Sequence, residues 1–520
     1  MNLPIRSKTT DGQYLIGPNG ETNVPGTTRL DTSTMPSNDT DARPLVRTFD
    51  VFDTLIARRC IEPSTIFVMV EKRSGLKGFS KARRQAELNV IKDTHDLDLI
   101  YAELAKLLDT DPLQLAALKA MELDIERENL IPIQENMTRV RHGDVLVSDM
   151  YLGHATIREF VKRAGLVQKV GLVVTNDGKK TGRIWPAILQ NLRISEHLGD
   201  NAHSDVKMPE QFEIPSRHTR LSDPSKVENV LLQLGLRQLA ELCRETRLRT
   251  WSENADLRFI QIIQANLNFP MMLMASIDLA HLVRKLKRKT VLFSSRDCDM
   301  WIPLFEEVAR RMGVACDARY FYTSRQAKMA PSESYVDYAR SLFTDDALIV
   351  DICGTGWSIA HMADRLGISR LPVYLLHKLP SAKSYEAMSK TPDSCQFFSL
   401  IGPAEQGVFN TLLEMCNYSD HGMVCDVRTI DDSAIPVFAD DLRNEQEMAA
   451  VKAQMDTFHL AVSLMEHYDL NQILQLDKSS IVTVGSALYA NLSQHQHLRH
   501  IYGKSHVEEE TRVRGTIGCR

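Results

Sequence analysis

The stretch Thr48-Phe49-Asp50-Val51-Phe52-Asp53-Thr54-Leu55 decides the fold of the N-terminal part of this chain. Apolar residues lead up to the first acid, Asp50, and a second acid and a hydroxyl follow within four positions. In α/β sheets, reacting groups lie where a buried strand ends at its carboxyl edge and a tight loop begins. The stretch therefore predicts a buried strand that ends at a reactive carboxylate.

Three further segments with suitable side chains follow along the chain. Residues 145–150, VLVSDM, form an apolar run that carries a hydroxyl at Ser148. Residues 171–182, GLVVTNDGKKTG, predict a strand followed by a turn with two lysines. Residues 197–205 contain a Gly-Asp pair and a second acid a few positions later. The order and spacing of the four segments together indicate one site assembled at neighbouring strand ends.

These segments resemble the four motifs of the haloacid dehalogenase-like (HAD) hydrolases, over about residues 45–220. The resemblance implies an α/β fold with a Rossmann-like parallel sheet. It also implies that Asp50 is a nucleophile forming an aspartyl-phosphate, and that Ser148 and a lysine bind the phosphoryl group. A carboxylate nucleophile divides a difficult transfer into two easier steps. Lys180 is the preferred lysine because it lies nearer the helical pattern that follows, and Lys179 is the alternative.

The resemblance further implies a Mg²⁺ site. Its ligands would be Asp50, the backbone carbonyl of Phe52, and Asp200, with Asp205 supporting them, and the Thr54 hydroxyl would contact substrate. Mg²⁺ prefers oxygen ligands. The cation would reduce the repulsion between an anionic substrate and a carboxylate nucleophile.

Phe52 departs from the phosphatase pattern, in which an acid at this position protonates the leaving group. General acid–base help of this kind contributes roughly 10²–10⁴ in rate. Dehalogenases of the family also lack this acid, but they do not need Mg²⁺, and the acids Asp200 and Asp205 favour a phosphorylated substrate. Three alternatives stay open: Asp53 replaces the missing acid, the leaving group departs unaided, or the site binds without turnover.

Residues 56–144 lie between the first two motifs and predict a helical cap, because apolar residues recur there at helical spacing. Such lids exclude water from a site. Lys81, Arg83 and Arg84 of this insertion could contact an anionic substrate, although a solvated helix face is the better prediction for each.

Residues 289–400 alternate predicted strands and helices and indicate a second parallel sheet. We predict that a helical linker over 221–288 precedes this module and that a helical region over 401–520 follows it. The order of modules resembles uncharacterised bacterial two-module HAD proteins, some of which accompany surface-polysaccharide genes.

The second module contains the segment Asp351-Ile352-Cys353-Gly354-Thr355-Gly356-Trp357-Ser358 after its clearest strand. A glycine-rich turn at a helix N-terminus presents backbone N–H groups to an anion. The segment resembles the phosphoribosyl-diphosphate loop of phosphoribosyltransferases at Asp351, Thr355, Gly356 and Ser358, although Val350 replaces the second acid. A tight strand-to-helix turn explains the glycines equally well. Arg296, Asp297 and Arg325 are expected at neighbouring strand ends, where arginine suits phosphate.

Composition limits the classes of function. The chain has 520 residues and a formal net charge of -5, which gives no basic field that would favour nucleic acid. Its 9 scattered cysteines predict reduced thiols in a cytoplasmic protein. The longest apolar stretch is too short to span a membrane. Residues 1–44 predict a disordered extension, and a helical pattern over 445–468 predicts packing or a homo-oligomer surface.

The sequence thus predicts a Mg²⁺-dependent HAD-type hydrolase that acts on a phosphorylated small molecule, a sugar phosphate or a nucleotide. It also predicts that the second module binds a phosphorylated sugar or nucleotide, or part of a larger glycan. One alternative is a binding or regulatory protein with an impaired HAD site. Another is a transferase centred on residues 351–358.

Overall fold

A computed structural model describes residues 15–16, 22–23, 43–91, 96–108, 110–380, 391–402, 410–431 and 433–518. The chain divides into two compact units, residues 1–225 and 226–520. Each unit contains a parallel sheet of five strands, which confirms the predicted α/β class. The predicted extension over 1–44 falls mostly outside the described residues, apart from residues 43–44 and a short antiparallel pair, β1 (Leu15–Ile16) and β2 (Thr22–Asn23).

The remaining strands of the first unit are β3 (Leu45–Phe49), β4 (Ile56–Arg58), β5 (Leu130–Pro132), β6 (Val145–Asp149), β7 (Gly171–Thr175), β8 (Arg193–Gly199) and β9 (Ser216–His218). Five of them form a parallel sheet in the order β7-β6-β3-β8-β9. The connections leave β3 in opposite directions, towards β6 and towards β8. Ligands in such sheets bind outside the carboxyl ends of the strands where this reversal occurs.

The helices of the first unit are α1 (Thr65–Ser74), α2 (Phe79–Val90), α3 (Leu97–Leu107), α4 (Pro112–Asn129), α5 (Gln134–Met137), α6 (His154–Arg163), α7 (Ile184–Leu189) and α8 (Met208–Glu210), with a π-helical turn at Ala202–Lys207. The first four lie between the antiparallel strands β4 and β5, where the sequence predicts a helical cap. The carboxylates of Asp96 and Asp111 accept backbone N–H bonds at the starts of α3 and α4. Such N-caps determine where helices begin.

Arg83 corrects one expectation about this cap. Its side chain is fully buried and forms a two-pronged ion pair with Glu122, with Nε–Oε2 and Nη2–Oε1 distances of 2.9 and 2.8 Å. Arg83 therefore joins α2 to α4 inside the cap and is neither solvated nor available to substrate. Lys81 and Arg84 are exposed.

The second unit contains β10 (Thr290–Ser294), β11 (Asp317–Phe321), β12 (Ala347–Gly354), β13 (Leu371–Lys378), β14 (Cys395–Ile401), β15 (Val424–Ile430) and β16 (Ser433–Phe438). The first five form a parallel sheet in the order β11-β10-β12-β13-β14. Strands β15 and β16 form an antiparallel hairpin. The region over 401–520, predicted to be helical, therefore also contains a hairpin.

The helices of this unit are α9 (Lys226–Gln233), α10 (Arg237–Arg249), α11 (Ala255–Ile263), α12 (Phe269–Leu286), α13 (Trp301–Met312), α14 (Arg325–Met329), α15 (Glu333–Leu342), α16 (Trp357–Arg365), α17 (Asn410–Met415), α18 (Glu445–Leu464), α19 (Asn471–Leu474), α20 (Lys478–Leu492) and α21 (Leu498–Gly518). A π-helical turn lies at Gln264–Asn268 and a 3-10 turn at Met465–His467.

The sequence suggested that helices α9 to α12 link two modules. In the structure they do not. They bury Leu239, Met272 and Ile277 in the same apolar core as Phe293 of β10 and Leu488 of α20. These helices are therefore part of the second unit, and their removal would expose its core to solvent.

Two further expectations concern the described residues. None of their helices combines the length and hydropathy needed to cross a membrane. The eight cysteines that the structure describes are all free thiols.

Candidate functional site

Asp50 directly follows β3 and lies at the reversal point of the first sheet. Its backbone N–H donates to the Leu198 carbonyl of β8 at 2.8 Å, which fixes the start of the loop. The chain then turns sharply, because the N–H groups of Leu55 and Ile56 both donate to the Val51 carbonyl, at 2.9 and 3.0 Å. The Asp50 side chain consequently lies at the sheet edge, as the sequence predicts, but it is buried and not exposed as expected.

The acids of the first and fourth motifs converge. Carboxylate oxygens of Asp50, Asp200 and Asp205 all lie within 4.8 Å of one another. Asp205 reaches the cluster from the π-helical turn, and the Asn201 N–H donates to its Oδ2 at 3.0 Å. A Cβ at position 199 would lie 2.3 Å from Asp205 Cγ, so only glycine fits before Asp200.

Lys179, and not the preferred Lys180, lies in the acid cluster. Its buried ammonium donates to Asp50 Oδ1 and, at 2.7 Å, to Asp205 Oδ1. The Lys180 side chain is exposed. The prediction for Lys180 is therefore wrong, because distance to the following helix does not determine which residue of a turn points inward.

Asp149 determines the shape of this turn, and the sequence did not single it out. Its carboxylate accepts the backbone N–H of Lys179 at 3.1 Å, that of Lys180 at 3.0 Å, and the Thr175 hydroxyl. These bonds orient the turn so that the Lys179 side chain enters the cluster. An acid directly after the motif hydroxyl Ser148 was the available signal.

Charge is unevenly balanced in the cluster. Burial raises the pKa of Asp50 to about 6, although Lys179 opposes the shift. Burial also raises the pKa of Asp200 to about 8, with the charges of Asp50 and Asp53 adding to the effect. Burial alone would raise the pKa of Asp205, but the charges and hydrogen bonds of Lys179 and His197 together outweigh it, and the pKa lies below its ordinary value. One ammonium thus leaves negative charge uncompensated.

His197 supports Asp205 from the interior of the sheet and was also missed. The buried ring places Nε2 at 3.2 Å from Asp205 Oδ1 and Nδ1 at 2.8 Å from the Thr48 hydroxyl. Burial lowers the pKa of His197, so the imidazole is neutral near pH 7. A neutral ring satisfies both partners by donating from Nε2 and accepting at Nδ1.

The two predicted hydroxyls are both buried at strand or loop ends. Ser148 ends the buried part of β6 and is 1% exposed. Thr54 Oγ1 is buried and lacks a hydrogen-bond partner among the described residues. It lies near enough to Asp50 to lower the pKa of that acid. The Thr54 hydroxyl therefore lies beside Asp50 at the end of the loop.

Phe52 fills the position where an acid would be expected. Its half-buried ring lies 4.8 Å from the Arg58 guanidinium, measured to the ring centroid. Arg58 in turn forms a buried ion pair with Glu126, with an Nε–Oε2 distance of 2.8 Å. Asp53 adopts a left-handed backbone with φ of 56°. Its charge acts on both Asp200 and Arg58, so it lies beside the cluster.

A cavity of about 420 Å³ lies in the cap of the first unit. Its apolar lining includes Phe67, Leu88, Met150 and Tyr151, and Arg58 is among its polar residues. Arg58 contacts Phe52, so one wall of the cavity touches the first motif loop.

The structure also brings together the predicted residues of the second unit. Arg296, Asp351, Thr355, Gly356 and Ser358 all line one cavity of about 160 Å³. Arg296 is already engaged there, because both of its Nη atoms donate to the Glu509 carboxylate of α21 at 2.8 Å.

No family model matches the chain, and no curated protein shows significant sequence similarity to it. The geometry of the sites therefore carries the functional conclusion.

Proposed function

We propose that the first unit is a Mg²⁺-dependent HAD-type hydrolase of a phosphorylated small molecule, with Asp50 as nucleophile. The observation that carries this proposal is the convergence of Asp50, Lys179, Asp200 and Asp205 at the sheet reversal. A structural ion-pair network alone would not require three acids for one buried ammonium.

The residues present fit Mg²⁺. Three carboxylates converge within reach of one ion. Burial, with a smaller contribution from neighbouring acids, raises the pKa values of Asp50 and Asp200, and a bound divalent cation would oppose both shifts. The Phe52 backbone carbonyl, in the loop after Asp50, is the fourth proposed ligand. When bound, Mg²⁺ would neutralise charge on the phosphoryl oxygens.

The proposed reaction has two steps. An Asp50 carboxylate oxygen bonds to phosphorus while the bond from phosphorus to the ester oxygen breaks. Water then attacks the aspartyl-phosphate and releases inorganic phosphate, which restores the carboxylate. The Thr54 hydroxyl, which has no described partner, would donate to a phosphoryl oxygen, and Ser148 would bind another. Lys179 would stabilise the charge that develops on these oxygens.

The leaving group takes up one proton, and Phe52 cannot supply it. Asp53 is the nearby candidate, since it lies beside Asp200. The Phe52 ring contacts Arg58 and occupies the acid position, and this favours the second candidate function, a protein that binds a phosphorylated ligand without turnover.

The cap cavity would receive the organic group of the substrate. Its apolar residues Phe67, Leu88 and Met150 would cover a sugar ring or a base, and Arg58 would contact a polar substituent. Apolar lining with a few polar groups is the usual composition of small-molecule sites.

The proposal is tested by screening phosphate esters with Mg²⁺ and measuring released phosphate. The variants are Asp50→Asn and Lys179→Met, with Lys180→Met as the matched control. We expect wild type and the control to release phosphate, both active-site variants to lose release, and chelation with EDTA to abolish it. Tight ester binding without release would support the binding protein. Release that persists in Asp50→Asn would overturn the hydrolase.

A further inference from the structure

The cavity of the second unit lies at the reversal point of its sheet, where β10 has β11 on one side and β12 on the other. Its lining comes from the carboxyl ends of β10 and β12, from the first turns of α14 and α16, and from α17 and α21, which contribute Glu414, Glu509 and Glu510. The position of the cavity is therefore that at which open parallel sheets bind ligands.

The loop between β12 and α16 forms one wall, and its glycines are required. Gly356 has φ of 78°, and a Cβ there would lie 2.1 Å from Phe397 Cε1. The Lys378 ammonium donates to the Thr355 carbonyl. These contacts hold the loop and the start of α16 against the cavity in one conformation.

Lys328 contributes a buried cation to the same cavity. It is 5% exposed, and its ammonium donates to the Thr323 hydroxyl at 3.3 Å. Burial lowers the pKa of Lys328 to about 8, an effect that the charge of Asp351 only partly offsets. No carboxylate among the described residues forms an ion pair with Lys328. Burial of an ammonium that no carboxylate contacts directly is costly, so an anion placed beside Lys328 would be stabilised.

Asp297 contributes a buried carboxyl oxygen that requires a hydrogen-bond partner. Its Oδ1 is buried and lacks a hydrogen-bond partner among the described residues. Burial raises the pKa of Asp297 to about 8, although the Arg296 charge opposes the shift and Arg296 Nε lies 3.6 Å from Oδ1. In either protonation state Oδ1 would satisfy a ligand hydroxyl. Glu414 and Asp351 lie close enough to raise this pKa further, and both line the cavity, so several carboxyl groups face it.

We propose that this cavity binds a small sugar phosphate. Its phosphate would lie between Lys328 and the Gly354–Ser358 loop, and its hydroxyls would bond to Asp297 and Asp351. The volume of about 160 Å³ lies below the roughly 300–1,000 Å³ of common small-molecule pockets, which suits a sugar phosphate better than a nucleotide. The Arg296 guanidinium is already paired with the Glu509 carboxylate. The arginine therefore stabilises the α21 wall of the cavity and does not bind the phosphate.

The test uses the full chain carrying Asp50→Asn, so that the first unit cannot consume the probe. Calorimetric titration with ribose 5-phosphate, inorganic phosphate and ribose compares this background with Lys328→Met, Asp297→Leu and the exposed control Lys289→Met. We expect Lys328→Met to weaken both phosphate-bearing probes at least tenfold. Asp297→Leu weakens ribose 5-phosphate about tenfold and leaves inorganic phosphate unchanged, and the control binds normally.

A second measurement needs no variant of the cavity. Ribose 5-phosphate should slow acetylation of Lys328 by acetic anhydride, read by mass spectrometry, and should leave acetylation of Lys289 unchanged. The proposal is overturned if no phosphate-bearing probe binds, or if neither Lys328→Met nor Asp297→Leu changes the affinity of the probes. It is also overturned if ribose 5-phosphate does not slow acetylation of Lys328. When Lys179→Met is added to the Asp50→Asn background, the weakening of probe binding caused by Lys328→Met should stay the same. Loss of hydrolysis in the first unit would therefore leave this result intact.

Discussion

At the scale of single residues, Lys179 and Lys180 are neighbours with opposite surroundings. The first is buried between Asp50 and Asp205, and the second points to solvent. Their chemical identity makes them a matched pair for testing the active site.

We expect Lys179→Met to lower kcat by about 10²–10³, because one preorganised donor to developing charge contributes about that much. Lys180→Met should stay within twofold of wild type, since its side chain is exposed. Steady-state kinetics with a hydrolysed ester checks both variants. Equal losses in the two variants would contradict the placement of Lys179.

Phe52 is the second decisive residue, because it stands where a proton donor would act. We expect Phe52→Asp to raise phosphate-ester hydrolysis by up to roughly 10²-fold. Phe52→Asn is the control, since it removes the ring beside Arg58 without adding an acid. Initial rates of both variants are compared, and an unchanged rate for Phe52→Asp would mean that the missing acid does not limit this site.

At the scale of elements, the cap depends on a buried ion pair between two helices. Arg83 of α2 and Glu122 of α4 are 0% and 2% exposed at their side chains, and the Tyr101 hydroxyl also donates to Glu122 at 2.8 Å. Removing one partner of such a pair leaves a buried charge without compensation.

Glu122→Gln should therefore destabilise the first unit by about 3–5 kcal/mol. Glu159→Gln should cost less than about 1 kcal/mol, because Glu159 pairs with Arg127 at the surface. Denaturant titrations of both variants provide the comparison. Similar midpoints would show that the Arg83 pair does not stabilise the cap.

The contact between β13 and α20 predicts a dependence of stability on pH. The buried His377 ring packs on Tyr489 with centroids 4.7 Å apart, and its Nδ1 lacks a described partner. Burial lowers the pKa of His377 from 6.5 to about 4. His377 then binds a proton more readily in the unfolded chain than in the folded one. The stability that comes from burying the neutral ring is therefore present above about pH 6.5 and is lost as pH falls towards 4.

The shift corresponds to a loss of at most about 3 kcal/mol between these pH values. His377→Gln should reduce the fall in unfolding temperature over this range. His500→Gln is the control, since His500 is exposed and belongs to α21. An identical pH dependence in wild type and His377→Gln would show that this residue is not the cause.

At the scale of the whole molecule, each unit has its own apolar core. The first is built around residues such as Phe49, Leu146 and Phe160, and the second around residues such as Met272, Phe293 and Leu488. Separate cores allow separate folding.

We expect a fragment of residues 226–520 to fold and unfold cooperatively on its own. A fragment of residues 289–520 follows the module boundary expected from sequence and should aggregate, because it lacks α9 to α12 and exposes their partners in the core. Calorimetry and light scattering distinguish the two. A stable 289–520 fragment would show that α9 to α12 are a true linker.

The sequence by itself determined the α/β class, the strand that ends at Asp50 and the order of the four motifs. These features are readable because apolar runs and the acids that follow them are local patterns. The sequence also located the glycine-rich loop of the second unit, whose predicted residues all line one cavity.

Only the tertiary structure decided which lysine joins the acids, because that choice depends on Asp149, 30 positions from Lys179. The same is true of Arg83, which is buried by its ion pair with Glu122, and of Lys328, which is buried and forms no ion pair with a described carboxylate. The tertiary structure also places α9 to α12 in the apolar core of the second unit. Charge pairing and core membership arise from contacts between residues far apart in the chain, which no local pattern records.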